Sequence, residues 1–277
     1  MNTASTTSYI EEKARAIRQD VIRSVYLAGS GHPGGSLSSA EIFATLYFHE
    51  MNIDPADPKN PDRDRFVLSK GHCAPAYYAA LAERGYFDKE ELDHLRKYGS
   101  ILQGHPDMKH IPGVDMSTGS LGQGVSAAAG MAYGLRMKNS PAHVYALLGD
   151  GELQEGQVWE AAMFAGSKGL NNLTLIVDNN NLQIDGTIDE VNSPYPIDEK
   201  FRAFNFNIEV VDGNDAHAVL DGFEKLKRKS DRPCVLIAQT IKGKGVSFME
   251  NVAGWHGKAP NKEQMMQAMH DLEEEAE

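Results

Sequence analysis

Unbroken apolar runs alternate along this chain with longer stretches in which apolar residues recur every three or four positions, and that alternation predicts an α/β architecture. Residues 65–68, 144–148, 173–177, 208–211 and 233–239 read as strands; the nearly continuous apolar character of most of them suits a parallel sheet covered on both faces. Ile10, Ala14, Ile17, Val21 and Val25 predict a helix over residues 8–28, stopped at Gly29-Ser30-Gly31. Val158, Ala161, Ala162 and Ala165 predict another over residues 156–167. Further helices are expected at 39–50, 74–84, 89–98, from Gly124 through Leu135, at 216–229 and from about residue 261, with a Pro- and Asp-rich loop at 54–65. The expectation is one α/β domain over residues 1–277, a parallel sheet with helices on both faces, and a flexible acidic tail at about 270–277.

The stretch 149–186 concentrates the chemistry. One apolar run empties into Gly149-Asp150-Gly151 and the next into Asp178-Asn179-Asn180-Asn181. A βαβ unit of this kind brings a carboxylate and several carboxamides to the carboxyl edge of the sheet, where open α/β sheets bind ligands. These are hard oxygen donors, suited to a divalent cation that also neutralises a diphosphate. Asp-Gly and Asn-Asn are ordinary turn residues when taken singly. Their combination across a βαβ unit favours a metal–diphosphate site, since neither a P-loop nor a dinucleotide fingerprint fits.

Composition narrows the partners. A net charge of -12 argues against a nucleic-acid backbone but leaves phosphorylated sugars open, because local charge at a site can oppose the total. Cys73 and Cys234 form no CxxC spacing, which suits a reduced, cytoplasmic protein. The N-terminus has no secretory pattern and no run approaches a membrane span.

Other candidates stand beside glycine and proline. His32 precedes Pro33-Gly34-Gly35, which predicts an irregular loop that aims one imidazole, and Gly104-His105-Pro106-Asp107 repeats the device. His72, after Gly71 at a strand end, suits a phosphate or the cap of the following helix. Gly119-Ser120-Leu121-Gly122 opens a helix whose free N–H groups suit an anion, and the same small residues also suit close helix packing. Lys242 and Lys244 are flanked by glycine at a strand end and fit a diphosphate. His94 and His110 have no motif around them and are expected at the surface.

The blocks SGHPGGSLSSAEI, DRFVLSKGHCAPAYYA, GHPD, STGSLGQG, the central GDG with its spaced NN, and WHGKAP together resemble the N-terminal, diphosphate-binding half of transketolase over nearly the whole length. The resemblance implies the thiamine diphosphate-binding fold. It implies that Asp150, the Asn180 side chain and the Leu182 carbonyl bind Mg²⁺ or Ca²⁺, and that Gly119, Ser120, Leu121, Gly151 and Ile184 lie against thiamine diphosphate. His72 and His256 would reach the diphosphate or the reacting centre. His32 and His105 would hold sugar hydroxyls and move protons, with pKa values near neutrality. Glu155 and Glu160 match glutamates that face a partner subunit; five residues apart on a helix, they would point about 140° apart. A lysine at position 242 resembles the related deoxyxylulose-phosphate synthases.

In this family the glutamate that activates the aminopyrimidine and the basic residues that hold the sugar phosphate lie in a following domain. The resemblance therefore implies one component of a split transketolase, active only with a separate C-terminal subunit, the two forming a heterotetramer. A deoxyxylulose-phosphate synthase-like subunit or a non-catalytic, regulatory diphosphate-binding module remain as alternatives.

Overall fold

In the computed structural model, which describes residues 3–229 and 231–274, every apolar run forms a strand. β1 (Arg65–Leu68), β2 (Val144–Gly149) and β3 (Leu173–Asn179) are followed by a short antiparallel hairpin, β4 (Leu182–Gln183) and β5 (Gly186–Thr187), and then by β6 (Asn207–Asp212) and β7 (Cys234–Gln239). The main sheet is wholly parallel in the order β1-β2-β3-β7-β6. Ten helices carry the connections among the described residues: α1 (Thr3–Ala28), α2 (Pro33–Ser38), α3 (Ala40–Thr45), α4 (Ala74–Arg84), α5 (Gln123–Met137), α6 (Gly156–Lys168), α7 (Ile188–Asn192), α8 (Ile197–Ala203), α9 (Ala216–Lys227) and α10 (Lys262–Glu274).

Strand side chains alternate between two cores. Leu68, Leu147, Ile176 and Leu236 pack with α1, α3, α4 and α9 on one face. Val67, Ala146, Leu175 and Ile237 pack with α5, α6 and α8 on the other. Burial of both faces explains why these strands read as continuous apolar runs rather than alternating ones. No helix among the described residues is long and apolar enough to cross a membrane.

Three local expectations change. Residues 33–35, expected as part of an irregular loop, open the buried helix α2, with Pro33 in its first turn where a missing N–H is tolerated. The helix expected over 89–98 is only a 3₁₀ turn, Lys89–His94, because left-handed backbone at Arg96 (φ 61) and Gly99 (φ 83) breaks it. The flexible stretch expected from about residue 270 is helical as far as Glu274, held by buried Ala268 and Leu272 against α1; residues 275–277 lie outside the described residues.

Register positions the site. Gly149 of β2 pairs with Asp178 of β3, and Asp178 with Ala238 of β7, so the three strands end level. The residues just beyond them, together with Lys70 beyond β1, meet at one edge.

Candidate active site

Asp150 sits just past β2 and is 2% exposed. Its Oδ1 accepts from the Gly151 N–H at 2.8 Å, and its Oδ2 from Asn179 Nδ2 at 3.1 Å and the Asn181 N–H at 2.6 Å. Asn180 lies between two residues that bond Asp150, so acid and amide share one corner. Its Oδ1 accepts from the Leu182 N–H at 3.2 Å and its Nδ2 donates to Asp178 at 2.8 Å. Burial, then the nearby Asp178 charge, pushes the Asp150 carboxyl up to about 6.

Beside this corner, in the same cavity wall, lies an ion pair that sequence reasoning did not assign. Lys70 Nζ donates at 2.6 Å to Asp178 Oδ2, at 2.6 Å to Ser39 Oγ and at 3.0 Å to the Gly35 carbonyl. Ser38 also donates to Asp178 Oδ2, at 2.8 Å, and Thr240 donates to Oδ1. Burial alone would raise Asp178, but Lys70 and these donors hold it below its ordinary value. Glu152, 2% exposed, is a second unassigned acid. It accepts from Ser69 Oγ, from the Gly122 N–H at 2.8 Å and from the Gly149 N–H at 3.1 Å, tying the start of α5 to the end of β2. Both lysine and acids stood inside blocks already singled out, SKGH, DNNN and GDGE, but partners 108 residues apart leave no local pattern.

Four imidazoles from four loops converge beside the corner. The His72 and His256 rings stack with centres 4.9 Å apart; His32 lies 5.4 Å from His72, 5.5 Å from His256 and 6.4 Å from His105. The loops fit because Gly71 and Gly119 are in contact: a Cβ on Gly71 would come within 2.7 Å of the Gly119 nitrogen. The expected near-neutral histidines are not found. Burial and neighbouring cations push His32 down to about 4, His256 to about 3, and His72 well below the ordinary range; His105 is lowered as well. These rings are neutral at physiological pH.

Lys242, from the loop after β7, is 2% exposed; it donates to the Leu182 carbonyl at 3.0 Å and meets His256 Nδ1 at 3.1 Å. Lys244 instead approaches Glu250, at 3.5 Å. A cavity of about 320 Å³ joins these parts, and its wall includes His32, His72, Gly119, Leu121, Asp150, Gly151, Glu155, Asn180, Leu182, Ile184, Lys242 and His256. Ile184 is 69% exposed, an apolar surface turned to the opening. Ser120 and His105 are exposed and stand at the rim rather than in the wall. Glu155, at the N-cap of α6, reaches the cavity, whereas Glu160 lies in a separate groove with Ala129, Gly130 and Phe164. His94 and His110 are exposed, His110 bonding Asp107 at 2.5 Å.

Among the described residues no cluster of three His, Cys, Asp or Glu could hold a metal. A cation at this corner would use one carboxylate, one carboxamide and one carbonyl oxygen, all from residues that line the cavity. That hard, singly charged donor set fits Mg²⁺ or Ca²⁺ completed by phosphate oxygens. Lys242 and His72 add nitrogen groups to the same wall, and Leu121 and Ile184 add apolar surface.

Residues 10–275 match the family described as transketolase, thiamine diphosphate binding domain. The chain is 45% identical over 96% of its length to the 6-deoxy-6-sulfo-D-fructose transketolase subunit SqwG of a Clostridium species, covering 97% of that protein. It is 39% identical, over 97% of its length and 95% of the relative's, to an apulose-4-phosphate transketolase subunit of Phocaeicola vulgatus. The transketolase structure from Campylobacter jejuni superposes with a TM-score of 0.91 at 32% identity, covering 96% of this chain and 43% of that one. The chain belongs to the transketolase family, as its thiamine diphosphate binding domain.

Proposed function

We propose that this chain is the thiamine diphosphate-binding subunit of a two-part transketolase, which moves a two-carbon ketol unit from a ketose to an aldose. The observation that carries the reading is the convergence, in one cavity, of the Asp150, Asn180 and Leu182 oxygens with His32, His72, His256 and Lys242. The full-length match to relatives named as subunits supports a separate partner, which we take to be a C-terminal subunit that assembles with this chain as a heterotetramer. Both of those relatives are named for sugars with an anionic group, one sulfonated and one phosphorylated, and we assign this chain a substrate of that class. A reducing, cytoplasmic setting is in keeping with two free, buried cysteines.

Asp150, Asn180 and the Leu182 carbonyl hold Mg²⁺, while Lys242 and His72 hold the diphosphate. Thiamine diphosphate supplies, when bound, the carbon nucleophile for carbon–carbon cleavage. Ile184 and Leu121 fix its rings and shield the reacting carbon from water. His32 and His105 are neutral, so each offers one N–H donor and one acceptor nitrogen to sugar hydroxyls and takes up a proton transiently, whereas neutral His256, whose Nδ1 accepts from Lys242, offers its Nε2–H. Glu155 and Glu160 face the partner subunit. The test reconstitutes the purified chain with a C-terminal transketolase subunit, thiamine diphosphate and Mg²⁺. Ketol transfer that needs all four components is expected. Full turnover by this chain alone would overturn the two-subunit reading, and cofactor binding indifferent to Mg²⁺ would overturn the site.

A further inference from the structure

Arg96 is the feature of the rim that the site just described leaves unused. Its backbone is left-handed, φ 61, a conformation that a long side chain rarely adopts and that is held here by the Arg96 N–H donating to the Leu102 carbonyl at 2.9 Å. The guanidinium lies against Gly104, where an added Cβ would come within 2.5 Å of Nη2, and its Nη1 donates to Ser30 Oγ at 2.5 Å. Gly104 leads directly into His105, and Ser30 stands two residues before His32. The cation is thus seated between the two histidine loops, and its charge is among the causes that lower both His32 and His105.

Among the described residues no carboxylate forms an ion pair with it. Asp107, two residues after His105, bonds His110. An unpaired guanidinium at the mouth of a sugar site, on a chain of net charge -12, has one natural complement: a tetrahedral oxyanion taken by its planar fork. We infer that Arg96 is a specificity-determining residue that binds the phosphate or sulfonate of the sugar substrate from this chain's side of the channel. This rests on the proposed ketol-transfer reading and names a contact on this chain for the anionic end of the sugar.

The full chain, loaded with thiamine diphosphate and Mg²⁺ to fill the diphosphate site, is titrated with inorganic sulfate and separately with inorganic phosphate while the imidazole resonances of His105 and His32 are followed by NMR. A saturable shift of the His105 signals is expected, with affinity at least fivefold weaker in Arg96→Met and largely retained in Arg96→Lys. Met meets the same left-handed backbone demand as Arg, and an unchanged melting temperature checks that the fold is kept. The preferred anion distinguishes a phosphate from a sulfonate substrate. No saturable shift, or an Arg96→Met titration that overlays the wild type, would overturn the inference. In the reconstituted pair, Arg96→Met is expected to raise KM about tenfold for an anionic ketose and to leave an uncharged ketose of equal length unaffected; equal losses for both would overturn it. Failure of the wild-type pair to transfer a ketol unit would instead sink the functional reading, and the anion titration would still judge Arg96.

Discussion

Asp150 and Asp178 stand at the tips of neighbouring strands, 2% and 0% exposed, yet they are opposite kinds of acid. Asp178 has an ammonium of its own, Lys70, with two hydroxyls and a carboxamide around it, and its carboxyl is held down. Asp150 has only dipolar donors, and its carboxyl is pushed up to about 6. A buried carboxylate with a full counter-charge is finished and serves as scaffold. One solvated only by dipoles still favours an added cation; both acids line the cavity, so the counter-charge alone separates them.

The comparison breaks most visibly at Lys70. Lys70→Met leaves Asp178 charged and unpaired in the interior, so a loss of about 3–5 kcal/mol in urea unfolding is expected. A loss below about 1 kcal/mol would mean that the pair is not what holds this edge together. Asp150→Ala should do the reverse. Its stability cost is expected to be smaller than that of Lys70→Met, while the Mg²⁺-dependent affinity for thiamine diphosphate, measured by calorimetry, falls by about a hundredfold or roughly 2.7 kcal/mol. If the two variants exchanged these phenotypes, the assignment of scaffold and ligand would be inverted.

The pair itself can be weighed by a double-mutant cycle of Lys70→Met with Asp178→Asn. A coupling of about 2 kcal/mol is expected, because the second substitution removes the charge that the first one strands. Additive losses would assign the stability to the surrounding hydroxyls, Ser38, Ser39 and Thr240, rather than to the charges.

These two acids also mark how far the sequence could be read. Asp150 was legible because its signal is local: an apolar strand, then Gly-Asp-Gly, then a helix, with Asn180 at the end of the next strand. The strands were legible for the same reason, since burial on both faces leaves apolar runs. Lys70 and Asp178 were visible as residues but not as a pair, because contact between β1 and β3 crosses an intervening strand and depends on the register of all three. Arg96 stayed hidden behind a charged stretch that resembled a solvated helix. The neutral histidines could not be foreseen either, because their pKa values depend on Lys70, Lys242, Arg96 and one another, each from a different loop.

The smallest effect, and the one that sharpens the contrast most finely, is the dependence of stability on pH. In the unfolded chain histidines gain protons below about pH 6.5. In the folded chain His32 does so only at about 4 and His256 at about 3. The unfolded state therefore binds more protons across that window, and stability, fully present above about pH 6.5, falls as pH is lowered towards 4. Asp150 acts with the opposite sign: it is protonated at about 6 when folded but at about 3.9 when unfolded, so acidification through that interval stabilises the fold. Asp178, held low, contributes stability above about pH 3.9 that is lost only on further acidification. Urea midpoints at about pH 7.5 and about pH 5 should therefore show a modest loss in the wild type, a smaller one in His256→Asn, and a larger one in Asp150→Ala, from which the offsetting acid is gone. Identical pH responses in wild type and Asp150→Ala would mean that Asp150 is already ionised and compensated in the chain alone, and the distinction between the two acids would collapse.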